Sequence, residues 1–468
     1  MASKASDAAR AAALKDEGNK LYVAKDYPAA HAKYTEAIEA DNENAVLWAN
    51  RGACALAMNK MKQKLPPNTV PAPKDDDYPW NRVLKLESVT KKNGMHDAYS
   101  SKWTLLQAAK DYNNGMDAVR KIKRIITPNG KPGFSGVLGA IKCLVHALIM
   151  EHRVFRIEDR EYALWCSLQV EFETQHDKAH IMVRAGGADN IMAEFLKLKE
   201  KEDWETVRRA TNITIRVLVF MAFNEGSVQR DYGAAMQKYG TVIELIRRCR
   251  NVWKDVSPED RGEVFDAEFL RGVKCLKHDC FLMAHKADPK RFTLQELHDI
   301  AQDVLQEVDG LKEDEIFSLE EDPAAHLAFY TYPRAQALST MGLYYREKAE
   351  SLPEKSKEAL SLYRQAAHYY KQGAEEYPED DETYCFYLAF AFDALIKSGS
   401  ARLTEVLGTA MKIKNAIPKM RVLWENSALS QSRDMLIAQV LAAEELLLRM
   451  KISGKIKFMD TVSSELFR

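Results

Sequence analysis

Apolar and small residues recur three and four positions apart along most of this chain. Tyr27, Ala30, Tyr34, Ala37 and Ile38 share one stripe opened by Asp26, a spacing that predicts a helix from Tyr27 to Ala40. A preceding helix is predicted from about Ala8 to Ala24, with Gly18 small enough to let a neighbour come close. Together they make a helical hairpin. Asp41, Asn42 and Asn44 supply a polar turn and caps for a further helix, Ala45 to about Asn59. From about Val137 the helical period rarely stops. Ile141, Leu144, Val145 and Leu148 form one stripe, and helices are predicted over 161–174, 190–199 and 204–223, separated by the polar turns HDK, AGGADN and KEKED. No stretch keeps the two-residue alternation of a half-buried sheet. The fold class is therefore all-α.

The segment LKDEGNKLYVAKDYPAAHAKYTEAIEADNENAVLWANRG, Leu14 to Gly52, says one thing twice: Leu14 and Gly18 answer Trp48 and Gly52, 34 residues on. Matching residue types at fixed offsets over that period resemble the tetratricopeptide repeat family. The resemblance implies an α-α superhelix of stacked hairpins, and the whole chain resembles fungal tetratricopeptide proteins. The second copy stops after its first helix, and KLPPNTVPAPKDDDYPW follows. Five prolines between Pro66 and Pro79 remove donors and favour extended backbone, so a linker is expected there. DYGAAMQKYGTVIEL sets Asp231, Tyr232, Ala235, Tyr239 and Ile243 at the offsets of Asp26, Tyr27, Ala30, Tyr34 and Ile38. Ala366, Tyr370, Gly373, Pro378, Tyr384 and Ala391 repeat the offsets of Ala30, Tyr34, Ala37, Asn42, Trp48 and Ala55. The expected organisation is a truncated hairpin domain at 1–62, a Pro/Asp-rich linker at 63–100, a helical connector with a Gly-rich loop at 101–136, and a degenerate α-solenoid at 137–468. Leu436, Val440, Ala443, Leu447 and Met450 either cap that solenoid or seat a partner helix.

Composition narrows the function classes. Sixty-seven basic against 68 acidic residues give a net charge of -1, without the phosphate-neutralising excess of a general nucleic-acid binder. The basic run Arg120, Lys121, Lys123, Arg124 reads as a solvated helix face. The amino terminus lacks a signal-peptide core, and VLGAIKCLVHALIM and ITIRVLVFMAF are too short or carry Lys142, His146 or Arg216, so no membrane span is expected. Seven scattered cysteines suit free thiols in a reducing compartment, cytoplasm or nucleus.

Catalytic signatures are absent. In GKPGFSGVLG, Lys131 is followed by Pro132 where a P-loop needs Ser or Thr, and no strand precedes it; a flexible link between helical blocks is expected. In CLKHDC, Cys275 and Cys280 point about 140° apart on a helix, without a second ligand pair nearby, so buried thiols are expected and no metal or cofactor. No metalloprotease, nucleophile-elbow, kinase or dinucleotide motif is present. The expectation is a binding protein, not an enzyme, without a small-molecule substrate.

A narrower resemblance concerns LKDEGNKLY and LWANRGA. They resemble the first-helix segments of tetratricopeptide co-chaperones that bind the acidic carboxy-terminal tails of Hsp70 and Hsp90. That resemblance implies a carboxylate clamp in which Lys15, Asn19 and Asn50 match three of five members. An ammonium and two amides suit capture of a chain-terminal carboxylate. The remaining lysine and arginine belong to a third repeat that is not recognisable here, and the gap looks like a deletion or a misjoined gene model. Ser101 to Ile126, expected to be helical, offers Lys102, Lys110, Lys121 and Arg124 as substitutes. Two rivals stand beside this reading: the clamp is a relic and the carboxy-terminal platform binds other partners, or residues 140–468 hold an unfamiliar helical active site.

Overall fold

The computed structural model describes residues 2–40, 47, 50, 77–93, 98–312, 316, 318–353 and 355–467. The chain divides into two compact units, residues 1–74 with 461–468, and residues 75–460.

The first unit holds the expected hairpin of α1 (Ala2–Val23) and α2 (Tyr27–Ala40). Asp26 starts α2 by accepting the Ala29 N–H at 3.2 Å, which satisfies one of the donors a helix start leaves free. A Cβ on Gly18 would lie 2.7 Å from the Tyr34 ring, so the glycine is what lets the two helices close. Ala11, Ala30, Tyr34, Ala37 and Leu47 are buried. Lys33 ties the helices outside by pairing with Glu17 at 3.3 Å and Glu36 at 3.2 Å; the Glu36 bond and then the Glu17 bond raise its pKa. Leu47 and Asn50 are helical; the rest of the expected helix from Ala45 to Asn59 lies outside the described residues.

The second unit corrects the expected partition of 63–136. Residues 63–76 lie outside the described residues, but α3 (Pro79–Asn93) occupies much of the expected linker. Pro79 starts this helix rather than breaking it, because a first-turn residue has no intrahelical use for its N–H. The helix expected to reach Ile126 is α4 (Lys102–Val119), and the chain then forms a hairpin of β1 (Lys123–Ile126) and β2 (Pro132–Ser135). The strands are antiparallel, Lys123 opposite Ser135 and Ile126 opposite Pro132. Consecutive β-branched residues favour the strand, and Gly130 at φ 77° makes the turn, with the Thr127 N–H donating to the Lys131 carbonyl at 2.8 Å. The expected flexible link is thus a paired ribbon. The basic run is no helix face either: Arg120 bridges Glu158 and Asp159 at 3.0 and 2.8 Å, and Lys123 and Arg124 stand on β1.

Helices follow: α5 (Ala140–Glu151), α6 (Tyr162–His176), α7 (Ala188–Lys199), α8 (Trp204–Phe223), α9 (Tyr232–Val252), α10 (Ala267–Ala287), α11 (Leu294–Asp309), α12 (Tyr332–Glu350), α13 (Lys357–Glu376), α14 (Glu382–Ser398), α15 (Leu403–Trp424) and α16 (Ser430–Ile452). From α8 onward each helix packs on the next, the arrangement of a solenoid. Asp231 caps α9 by accepting the Ala234 N–H at 3.1 Å, as Asp26 caps α2, and Ala235, Tyr239 and Ile243 are buried. In the later repeat Ala366, Tyr370, Tyr384 and Ala391 are buried. A Cβ on Gly342 of α12 would lie 2.7 Å from the Tyr370 ring of α13, the relation of Gly18 to Tyr34. Along α16, Ile437, Val440 and Leu447 are buried, while Leu436, Ala443 and Met450 are half-buried.

Buried polar contacts hold the segment around residue 101 to the last helices, so 101–136 is no separate connector. The Ser101 N–H donates to Asp380 at 2.9 Å and the Trp424 indole donates to the Ser101 hydroxyl at 3.0 Å. Beside them Arg153 donates to Glu151 at 2.6 Å, to both oxygens of Asp381 at 2.9 and 2.7 Å, and to Thr383 at 3.1 Å. Its guanidinium stacks 3.9 Å from the Trp424 ring.

Candidate functional site

The three clamp residues lie in the first unit. Lys15 and Asn19 are one turn apart on α1, which puts them on one face, and both are half-buried. Asn19 Oδ1 accepts the Tyr34 hydroxyl at 2.8 Å and an Asn50 Nδ2–H at 3.3 Å. Tyr34 therefore orients Asn19, and Asn19 gathers Asn50, so the sequence-predicted asparagines are brought together by the same tyrosine that Gly18 admits. The Asn19 Nδ2 group and the Lys15 ammonium make no hydrogen bond or ion pair among the described residues. An amide donor and an ammonium on one helix face suit a carboxylate.

The four proposed substitute cations belong to the second unit. Lys110 is engaged by Glu87 at 2.7 Å, and Lys102 lies 4.7 Å from the centre of the Trp103 ring. Lys121 follows the end of α4 and Arg124 is on β1, so the single helix expected to present all four does not exist.

The second unit also contains an open cleft of about 570 Å³, lined in part by Lys142, Glu173, Asp177, Arg209, Arg216 and Glu263. Its charges are mostly spent on each other. Glu263 accepts Lys142 at 2.7 Å and Arg216 at 2.6 Å; burial pushes its carboxyl up, but Arg216 and Lys142 outweigh this and hold it below the usual range. Asp177 accepts Arg209 at 2.6 Å. Burial pushes the Glu173 carboxyl up, although Gln169 and the Ile141 N–H donate to it at 2.7 and 3.2 Å. Burial likewise raises Asp266 on the rim. Sequence reasoning did not assemble this cleft, because its residues come from four separated segments; the one local signal was Arg216 within the apolar run ITIRVLVFMAF.

In CLKHDC, His278 and Cys280 are buried and Cys275 is half-buried. His278 Nε2 meets the Thr340 hydroxyl at 2.8 Å, and burial pushes the Cys280 thiol up to about 12. Among the described residues no three His, Cys, Asp or Glu side chains cluster as metal ligands, and no helix is long and apolar enough to cross a membrane.

No protein-family model matches the chain. It is similar to Stress-induced-phosphoprotein 1 of Caenorhabditis elegans, 39% identical over 51 residues, which are 11% of this chain and 16% of that protein. The chain thus matches about a sixth of that relative's length, a similarity that supports tetratricopeptide-like helical repeats.

Proposed function

We propose that this chain is a non-enzymatic protein-interaction adaptor of tetratricopeptide type, resident in the cytoplasm, whose first hairpin receives the carboxy-terminal carboxylate of an acidic chaperone tail of the Hsp70 or Hsp90 kind. The observation that carries the reading is the Tyr34–Asn19–Asn50 chain of hydrogen bonds, beside Lys15, whose ammonium has no ion-pair partner among the described residues. The similarity to a protein of the co-chaperone class supports it. The clamp is incomplete. Each charge-assisted bond contributes about 1.5–3 kcal/mol, so lacking two weakens a ~μM interaction by about 3–6 kcal/mol, to ~mM or poorer.

Calorimetry at millimolar concentrations of free-acid and amidated tail peptides tests this. The free acid is expected to bind several-fold tighter, and Asn19→Ala to abolish the difference. Equal binding of the two peptides, or an Asn19→Ala variant that still distinguishes them, refutes carboxylate capture.

A second reading makes the solenoid of the second unit the working surface. It draws on the rebuilt glycine-under-tyrosine contact of α12 and α13, and predicts that a chain lacking residues 1–74 retains its partners. Mutual pairing of Lys142, Arg216, Glu263, Arg209 and Asp177 supports a non-catalytic role for the cleft.

A further inference from the structure

The β1–β2 hairpin is an exposed ribbon of two four-residue strands, and its composition is one-sided. No Asp or Glu occurs between Val119 and Met150. Lys121, Lys123, Arg124 and Lys131 are exposed and make no ion pair among the described residues. Apolar side chains are exposed beside them: Ile126 is 71% accessible, and Val137 and Leu138 at the base are also open.

The backbone of the ribbon has one usable edge. Among the described residues this sheet has two strands, so each has an outer side. Thr127 donates inward to Lys131, and antiparallel alternation then turns Ile125 and Lys123 inward as well. The N–H groups of Arg124 and Ile126 consequently face outward, and neither makes a hydrogen bond among the described residues. On β2 the outward position opposite Ile126 is Pro132, which has no N–H to give. The β1 side therefore offers two donors and the acceptors between them, whereas the β2 side is interrupted.

We propose that the outer edge of β1 is a docking strand for an extended acidic segment of a partner protein, which adds as a third strand and pairs its carboxylates with Lys123, Arg124 and neighbouring cations. Backbone pairing supplies the register and side-chain charge the selectivity. The same cations keep two copies of this ribbon from pairing with each other. An anionic bilayer fits less well, because the tip Thr127–Pro128–Asn129–Gly130 is polar and presents nothing to insert. This site is separate from the clamp of the first unit and does not depend on it.

The test uses the full chain and a fluorescent decapeptide of paired glutamates separated by paired valines, which sets carboxylates on both faces of an extended strand, with both ends blocked, which denies the clamp a terminal carboxylate. Saturable binding that weakens with salt is expected, together with slowed hydrogen exchange at Arg124 and Ile126. Ile126→Pro removes one outward donor and leaves the inward bonds, and should weaken binding at least tenfold. Lys123→Glu with Arg124→Glu, two exposed changes, should abolish it. Unaltered affinity in both variants, slow exchange at Arg124 and Ile126 before peptide is added, or preference for phosphatidylserine vesicles over the peptide would each overturn the proposal.

Discussion

Replacing Arg153 by methionine should damage the second unit more than any surface substitution. Its guanidinium occupies a buried site between Glu151, Asp381, Thr383 and the Trp424 ring. Asp381 is fully inaccessible and Glu151 is 4% accessible, so removal of the cation leaves two carboxylates without a counter-charge in a place water does not reach. Breaking a buried pair in this way costs about 3–5 kcal/mol, against a total of about 5–15 kcal/mol for a typical domain. With a urea slope of about 3 kcal/mol/M, the midpoint of the second unit falls by about 1 M or more. The pH dependence gives a second reading of the same contact. Burial pushes the Asp381 carboxyl up, but Arg153 overcomes that and holds it below its ordinary value of 3.8. Its contribution is therefore present above that value and is lost as pH falls through the depressed folded pKa. In Arg153→Met the burial, which is the largest influence, is opposed by the Thr383 backbone and hydroxyl bonds, so the charged carboxylate is less favoured as pH rises, and the gap to wild type is wider at pH 7 than at pH 4. Urea titrations followed by circular dichroism at both pH values measure this. A loss below ~1 kcal/mol, or a gap that does not change with pH, would refute the view that this ion pair closes the unit.

Four further substitutions have expected outcomes. Gly342→Ala drives a Cβ to 2.7 Å from the Tyr370 ring, an overpacking that costs about 1–3 kcal/mol and exceeds the gain of about 1 kcal/mol in helix propensity. Gly240→Ala in α9 has nothing within 4 Å and should stabilise by up to ~1 kcal/mol, so thermal melts of the two should move in opposite directions. Because burial raises Glu173, wild-type stability should decline as pH climbs from the ordinary glutamate value of 4.5 through the raised folded one, and Glu173→Gln should flatten that slope in pH-resolved melts. Asp231→Ala removes the cap on Ala234 and should cost about 1 kcal/mol, measurable by denaturant titration.

Much of the architecture was legible because helix signals are local. Asp26 and Asp231 mark the starts of α2 and α9 by direct contact with the backbone three residues on. Trp204 and Phe223 bound α8 as the apolar spacing implies. What escaped had non-local or very short signals. Four-residue strands such as β1 are too brief for alternation to register, so the ribbon read as the end of a helix and a loop. Pro79 looked like a continuation of the proline run, although its place at the start of α3 is compatible with helix. The first helix of the later repeat was hidden because Gly342 and Tyr370 are 28 residues apart, where Gly18 and Tyr34 are 16 apart; only packing reveals them as the same contact. Lys15, Asn19 and Asn50 were legible as a pattern, but the role of Tyr34 in orienting Asn19 requires the folded hairpin. The cleft around Glu263 was not legible, since its lysine, arginines and carboxylates meet only through tertiary packing.

Carboxylate capture by the first hairpin can be observed at the atoms proposed to perform it. The side-chain amide resonances of Asn19 and Asn50 should shift during titration with a free-acid chaperone-tail peptide and stay in place with its amidated twin, and Lys15→Ala should shrink the response. Shifts of equal size with both peptides, or none with either at millimolar concentration, would contradict the proposed role of this hairpin.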